Sequence, residues 1–99
     1  MKISVKRSGG FAGLTENIAD LDTTQLEETA AQKVKQLVES VGLFDLPSTI
    51  AGGGLGADFF HLEITVTQGN RQHTIGFDDD DTPATAQLHK FVETLVQMN

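Results

Sequence analysis

Ninety-nine residues at 10.6 kDa leave room for one compact core, so the expectation is a single domain over 1–99. Seven Lys and Arg against fourteen Asp and Glu give a net charge of −7 and a pI near 4.6. That field repels phosphate backbones and anionic headgroups and argues against nucleic acid and membrane surfaces as partners. The chain has no cysteine, which removes disulfides, thiolate nucleophiles and cysteine-based zinc cages.

Met1 to Arg7 carries charge on both sides of Ile3 and Val5 and lacks the apolar run of a secretory signal. The expectation is a cytoplasmic protein. Ile3 and Val5 alternate with Ser4 and Lys6 at the period of a half-buried strand. Ser8-Gly9-Gly10-Phe11-Ala12-Gly13 reads as a turn with Phe11 at its tip, leading into a second strand over about Leu14 to Leu21. Thr24-Gln25-Leu26-Glu27 has the form of a capping box, which predicts a helix start there. Leu26, Ala30, Val34, Leu37, Val38 and Val41 then form one apolar stripe at helical spacing, and Gly42 is the predicted stop. In Leu43-Phe44-Asp45-Leu46-Pro47, Phe44 and Leu46 are placed to cap the core while Pro47 forbids more helix. Ala51 to Ala57 holds four glycines and one large apolar residue, Leu55, and is predicted to be a loop.

Phe60, Leu62, Ile64 and Val66 alternate with polar residues, and Gly69-Asn70 separates them from a second alternating run through Phe77. With Gly69 and Asn70 as the loop, Gln68 faces Arg71, Val66 faces His73, Ile64 faces Ile75 and Leu62 faces Phe77. This register puts the apolar sets of both strands on one face. After Asp78 to Asp81, Thr82-Pro83 fits an N-cap and first helical residue, and Leu88, Phe91, Val92 and Leu95 give a second helix its stripe. The predicted fold is α+β, ββαββα: a four-stranded antiparallel sheet with two helices packed on one face.

Enzyme chemistry finds little footing. His61-x-Glu63 lacks a deaminase's cysteine pair, no His-Glu-x-x-His occurs, and no serine lies in a nucleophile setting. His61 reads as an outward strand residue opposite Asp78, His73 as a residue of the inner rim and His89 as a helix-surface residue. Counting a calcium loop from Asp78, the sixth place is Pro83 and the twelfth His89, where glycine and glutamate belong. The four aspartates instead suit the positive end of the second helix and a soluble sheet edge. The glycines at 52–56 lead into a strand and no Gly-Lys-Ser/Thr follows, so no phosphate cradle is expected. No cofactor is implied.

The predicted strand directions bring Gly9 to Leu14, Gly52 to Asp58 and Asp78 to Asp81 to one edge of the sheet. Two of these segments hold isolated apolar residues (Phe11, Leu14, Leu55) and two hold carboxylates, a combination suited to insertion into a partner's cleft. The other reading makes Leu14 the first core residue of its strand and folds Phe11 back onto the sheet.

Arg7-Ser8-Gly9-Gly10-Phe11-Ala12-Gly13-Leu14, Leu43-Phe44-Asp45-Leu46-Pro47, Ala57-Asp58-Phe59-Phe60, His73-Thr74-Ile75 and Phe77-Asp78-Asp79 together resemble the bacterial emfourin family. The ordered set, spread over essentially the whole chain, carries the resemblance; no single motif does. It implies an inhibitor of protealysin-like zinc metalloproteases of the thermolysin family, with no catalysis of its own; a monomer is the expectation. Such a protease holds its zinc with an open coordination position and prefers a bulky apolar residue beyond the scissile bond, so a blocker needs an oxygen ligand and an anchor. On that implication Asp58 is the first candidate to ligate the protease zinc, followed by Asp78 and Asp80, with Asp22 at the opposite end as an outside candidate. Phe11, Leu14, Leu55 and Phe59 are the apolar protease-binding residues. Two readings compete with this one: a non-inhibitory interaction module docking through an exposed sheet edge, and a weak calcium-binding domain using Asp78 to Asp81.

Overall fold

The computed structural model describes residues 1–9, 14–50, 60–78 and 83–98. Its elements are β1 (Lys2–Gly9), β2 (Leu14–Asp22), α1 (Glu28–Val41), β3 (Thr49–Ile50), β4 (Phe60–Gln68), β5 (Arg71–Asp78) and α2 (Pro83–Met98), with short 3-10 turns at Thr23–Gln25 and Leu43–Asp45. The strands form one sheet in the order β2-β1-β4-β5-β3. Its first four strands pair antiparallel, so the ββαββα architecture is as predicted.

Alternation along the strands gives the sheet one apolar face. Ile3, Val5, Ala19, Leu21, Leu62, Ile64, Val66, Ile75 and Phe77 form a single buried cluster with Val34 and Val38 of α1 and Leu88, Phe91, Val92 and Leu95 of α2. Each of the larger side chains contributes roughly 1.5–3 kcal/mol by leaving water, which makes this cluster the main source of stability. The predicted hairpin register holds at every pair, from Gln68 with Arg71 to Leu62 with Phe77. Gly69, at φ +60°, supplies the left-handed residue its two-residue turn needs.

Three local features differ from the sequence reading. Helix α1 begins at Glu28, four residues after Thr24. Asp22 Oδ1 accepts from the Thr24 hydroxyl (2.7 Å) and amide (3.0 Å), so this threonine is spent on a 3-10 turn and cannot cap the helix. At the other end of α1, Gly42 adopts the left-handed conformation (φ 67°) as predicted, but it is Leu43 that is fully buried. Phe44 and Leu46 pack against the cluster only in part. The third difference is β3, which pairs parallel with Gly76 and Phe77 of β5 and covers that sheet edge. It is held there by Gly76 N donating to Ser48 O (2.8 Å) and by His73 Nε2 lying 2.6 Å from Leu46 O. Two residues carry no periodicity, so only these long-range hydrogen bonds identify the strand.

A β-bulge interrupts the β1–β2 ladder. Val5 pairs with Ala19 but Lys6 pairs with Asn17, leaving Ile18 as the extra residue. With its amide nitrogen turned toward the bulge, Asn17 donates to Ala19 O (2.9 Å) and Val5 O (3.1 Å). The bulge shifts the parity of everything before it in β2, and Glu16 comes to stand opposite Arg7.

Candidate functional site

One edge of the sheet gathers the ends of all five strands. Gly9, the last residue of β1, pairs with Leu14, the first of β2, and with Phe60, the first of β4. Asp78 ends β5 opposite His61, and Ile50 ends β3 beside Phe77. The ends of β1, β2, β4 and β5 thus fall at one edge, as the predicted strand directions require, and β3 joins them there. Leu14 and Asp78 are brought to this edge by pairing, whereas Phe11, Leu55, Asp58, Phe59 and Asp80 lie outside the described residues. Asp22 pairs with Lys2 at the far end of the sheet. There the Thr24 hydroxyl, then the Thr24 amide, hold its carboxyl below the usual carboxylate range, with smaller help from Lys2 and the Met1 amino group against a desolvation cost. That carboxylate serves as a structural cap.

Two side-chain constellations occupy the described part of the gathered edge. In the first, His61 Nδ1 lies 3.2 Å from Asp78 Oδ1, and both groups are exposed. A pair in this setting is worth about 0–1 kcal/mol. The imidazole lies across Gly76, where an added Cβ would stand 3.0 Å from Nε2, so the absence of a side chain at 76 is what lets the ring reach Asp78. This is the outward histidine opposite Asp78 that the strand pattern predicts. His73 turns its ring to the Leu46 carbonyl at the inner rim, and His89 lies on α2 with Nε2 3.9 Å from Glu93 Oε2. Among the described residues no three His, Cys, Asp or Glu side chains converge as a metal site would require.

The second constellation spans three strands. Arg7 of β1 donates to Glu16 Oε2 of β2 at 2.8 Å, and its guanidinium carbon stands 4.7 Å from the centroid of the Phe60 ring on β4. Phe60 shares the parity of buried Leu62, Ile64 and Val66 yet is 41% exposed. Facing Gly9, it has no cross-strand side chain on β1 to pack against. Sequence reasoning counted Phe60 among the core-facing residues of its strand and missed its exposure. The available signal was the glycine at its partner position, which becomes visible once the β1–β4 register is known.

Chemically, this edge can present a carboxylate and an aromatic ring to another molecule. No helix among the described residues is long and apolar enough to cross a membrane. No curated protein and no solved structure matches the chain. The family model described as Emfourin, however, matches residues 5–94. That span includes both constellations and all the strand ends gathered beside them, and by it the chain belongs to the emfourin family, a family of protease inhibitors.

Proposed function

We propose that the protein inhibits protealysin-like zinc metalloproteases of the thermolysin family by plugging the active-site cleft, without catalysis of its own. Family membership carries this reading. The gathering of strand ends at one sheet edge supports it, because the segments 10–13, 51–59 and 79–82 all start or finish there.

In this mechanism an aspartate takes the open coordination position of the protease zinc, at a metal to oxygen distance of about 2.0–2.2 Å. Asp58 is the first candidate, with Asp78 and Asp80 next. Phe11, Leu14, Leu55 and Phe59 supply apolar surface to the substrate pockets. A side-chain carboxylate on the metal leaves no peptide bond aligned for attack by zinc-bound water, so the inhibitor escapes cleavage. Asp22 is the weakest of the candidates, since its carboxylate is engaged by Thr24 at the far end of the sheet.

The test is titration of a protealysin-like protease with the purified protein, followed by Asp58→Ala and Phe11→Ala variants that retain the parental melting transition. Near-stoichiometric loss of proteolysis by the parent, and loss of potency in both variants, is the expected result. An unchanged rate with the parent would leave an interaction module rather than an inhibitor. Full potency in both variants would remove the assigned contacts, and loss in Asp22→Ala alone would move the contact surface to the opposite end.

A further inference from the structure

We infer that Phe60 is a preformed anchor whose ring enters an apolar pocket of the bound protease, and that Arg7, fixed by Glu16, is the positioning residue that holds the ring ready. The inference rests on the inhibitor reading and deepens it by naming a contact that motif reading does not identify.

Phe60 and Val96 are large apolar side chains left exposed, and Phe60 stands at the gathered edge. An exposed aromatic ring on a regular strand costs solvation, and the sheet offers no cross-strand side chain on β1 to hide it, because the position opposite is Gly9. Its orientation is nevertheless set. The guanidinium stands 4.7 Å from the ring centroid, within the range of a cation–π contact. The same guanidinium is tied across the next strand pair to Glu16 at 2.8 Å. That tie exists because the bulge at Ile18 brings Glu16 opposite Arg7; an unbroken alternation would have left the two residues out of register.

Glu16, Arg7 and Phe60 thus form a brace across β2, β1 and β4 that restricts the ring before any partner arrives. Fixing an aromatic side chain in advance lowers the ordering cost of binding, and aromatic residues with an adjoining arginine are typical of the few positions that dominate an interface. The occupant we assign is the protease. The brace also neutralises Arg7 internally, so the ring is the group it has to offer, and an apolar pocket is its complement.

Inhibition constants against a protealysin-like protease test this, with thermal melts as the folding control. Phe60→Ala should weaken inhibition by about 30-fold or more, the size of an interface hot spot, while leaving the melt close to parental. Phe60→Leu should recover a large part of the loss. Arg7→Ala should weaken inhibition by a smaller factor and add nothing in the Phe60→Ala background, the non-additivity expected of a residue that acts through the ring. Hydroxyl-radical footprinting of the parent, free and in complex, gives a readout independent of any variant's folding: oxidation of Phe60 should fall sharply on binding. Potency within twofold of parental for Phe60→Ala, or unchanged Phe60 oxidation in an inhibited complex, overturns the inference while leaving the inhibitor reading intact. A parent that fails to inhibit removes both. Self-association of the free parent that Phe60→Ala abolishes would give the ring to a second copy and overturn the assignment to the protease.

Discussion

The two ends of the sheet each carry an arginine over a phenylalanine, and the difference between them is instructive. At the hairpin end, Arg71 stands 4.1 Å from the centroid of Phe44, a residue packed in part against the core beside fully buried Leu43. That end closes on itself. Thr23 N donates to Met1 O (2.9 Å), Asp22 accepts from Thr24, and Gly69-Asn70 turns β4 directly into β5. At the gathered edge, Arg7 covers a ring that faces solvent, and His61 and Asp78 pair in the open. The same type of contact finishes the core at one end and leaves a side chain available at the other. What distinguishes them is how far the core cluster reaches.

The comparison breaks most visibly at Leu43. Leu43→Ala deletes a fully buried side chain and should cost about 2–5 kcal/mol in urea or thermal unfolding, with inhibition by the remaining folded protein unchanged. The paired phenylalanines sharpen it. Phe44→Ala should lose about 1–3 kcal/mol, since the ring is half-buried, whereas Phe60→Ala should lose less than about 1 kcal/mol. Equal losses would mean that the two ends do not differ.

A smaller effect is expected at Gly76. Gly76→Ala places a methyl group 3.0 Å from His61 Nε2, so the imidazole must move away from Asp78. The stability change should stay within about 1 kcal/mol, because the displaced pair is exposed. The direct readout is the His61 proton resonances, which should move relative to the parent while those of His89 do not.

The smallest effect concerns acid. Because the folded Asp22 carboxyl titrates below its ordinary value of 3.8, its contribution is fully present above that value and is lost as pH falls through the lower folded one. Asp22→Ala should therefore slightly lower the melting temperature at neutral pH, and the gap from the parent should close in acid. A gap that widens on acidification would contradict the assigned cap.

Much of this protein was legible in its residues. The period-2 runs of β1, β4 and β5, the stripes of both helices, Gly42 as a stop and the hairpin register all follow from local chemistry: side chains alternate on a strand, recur on a helix face, and turn where glycine permits. The family was legible from the ordered set of motifs, and the gathering of the β1, β2, β4 and β5 ends at one edge followed from the predicted strand directions. Tertiary structure decided what depends on partners distant in sequence. β3 exists because β5 offers its edge to Thr49 and Ile50, and the bulge at Ile18 brought Glu16 to Arg7. Phe60 carries the same alternation as its buried neighbours, yet opposite Gly9 it stands in solvent. Hydrophobic periodicity specifies which face a residue takes, but the extent of the core along that face is set by what the rest of the chain brings to cover it.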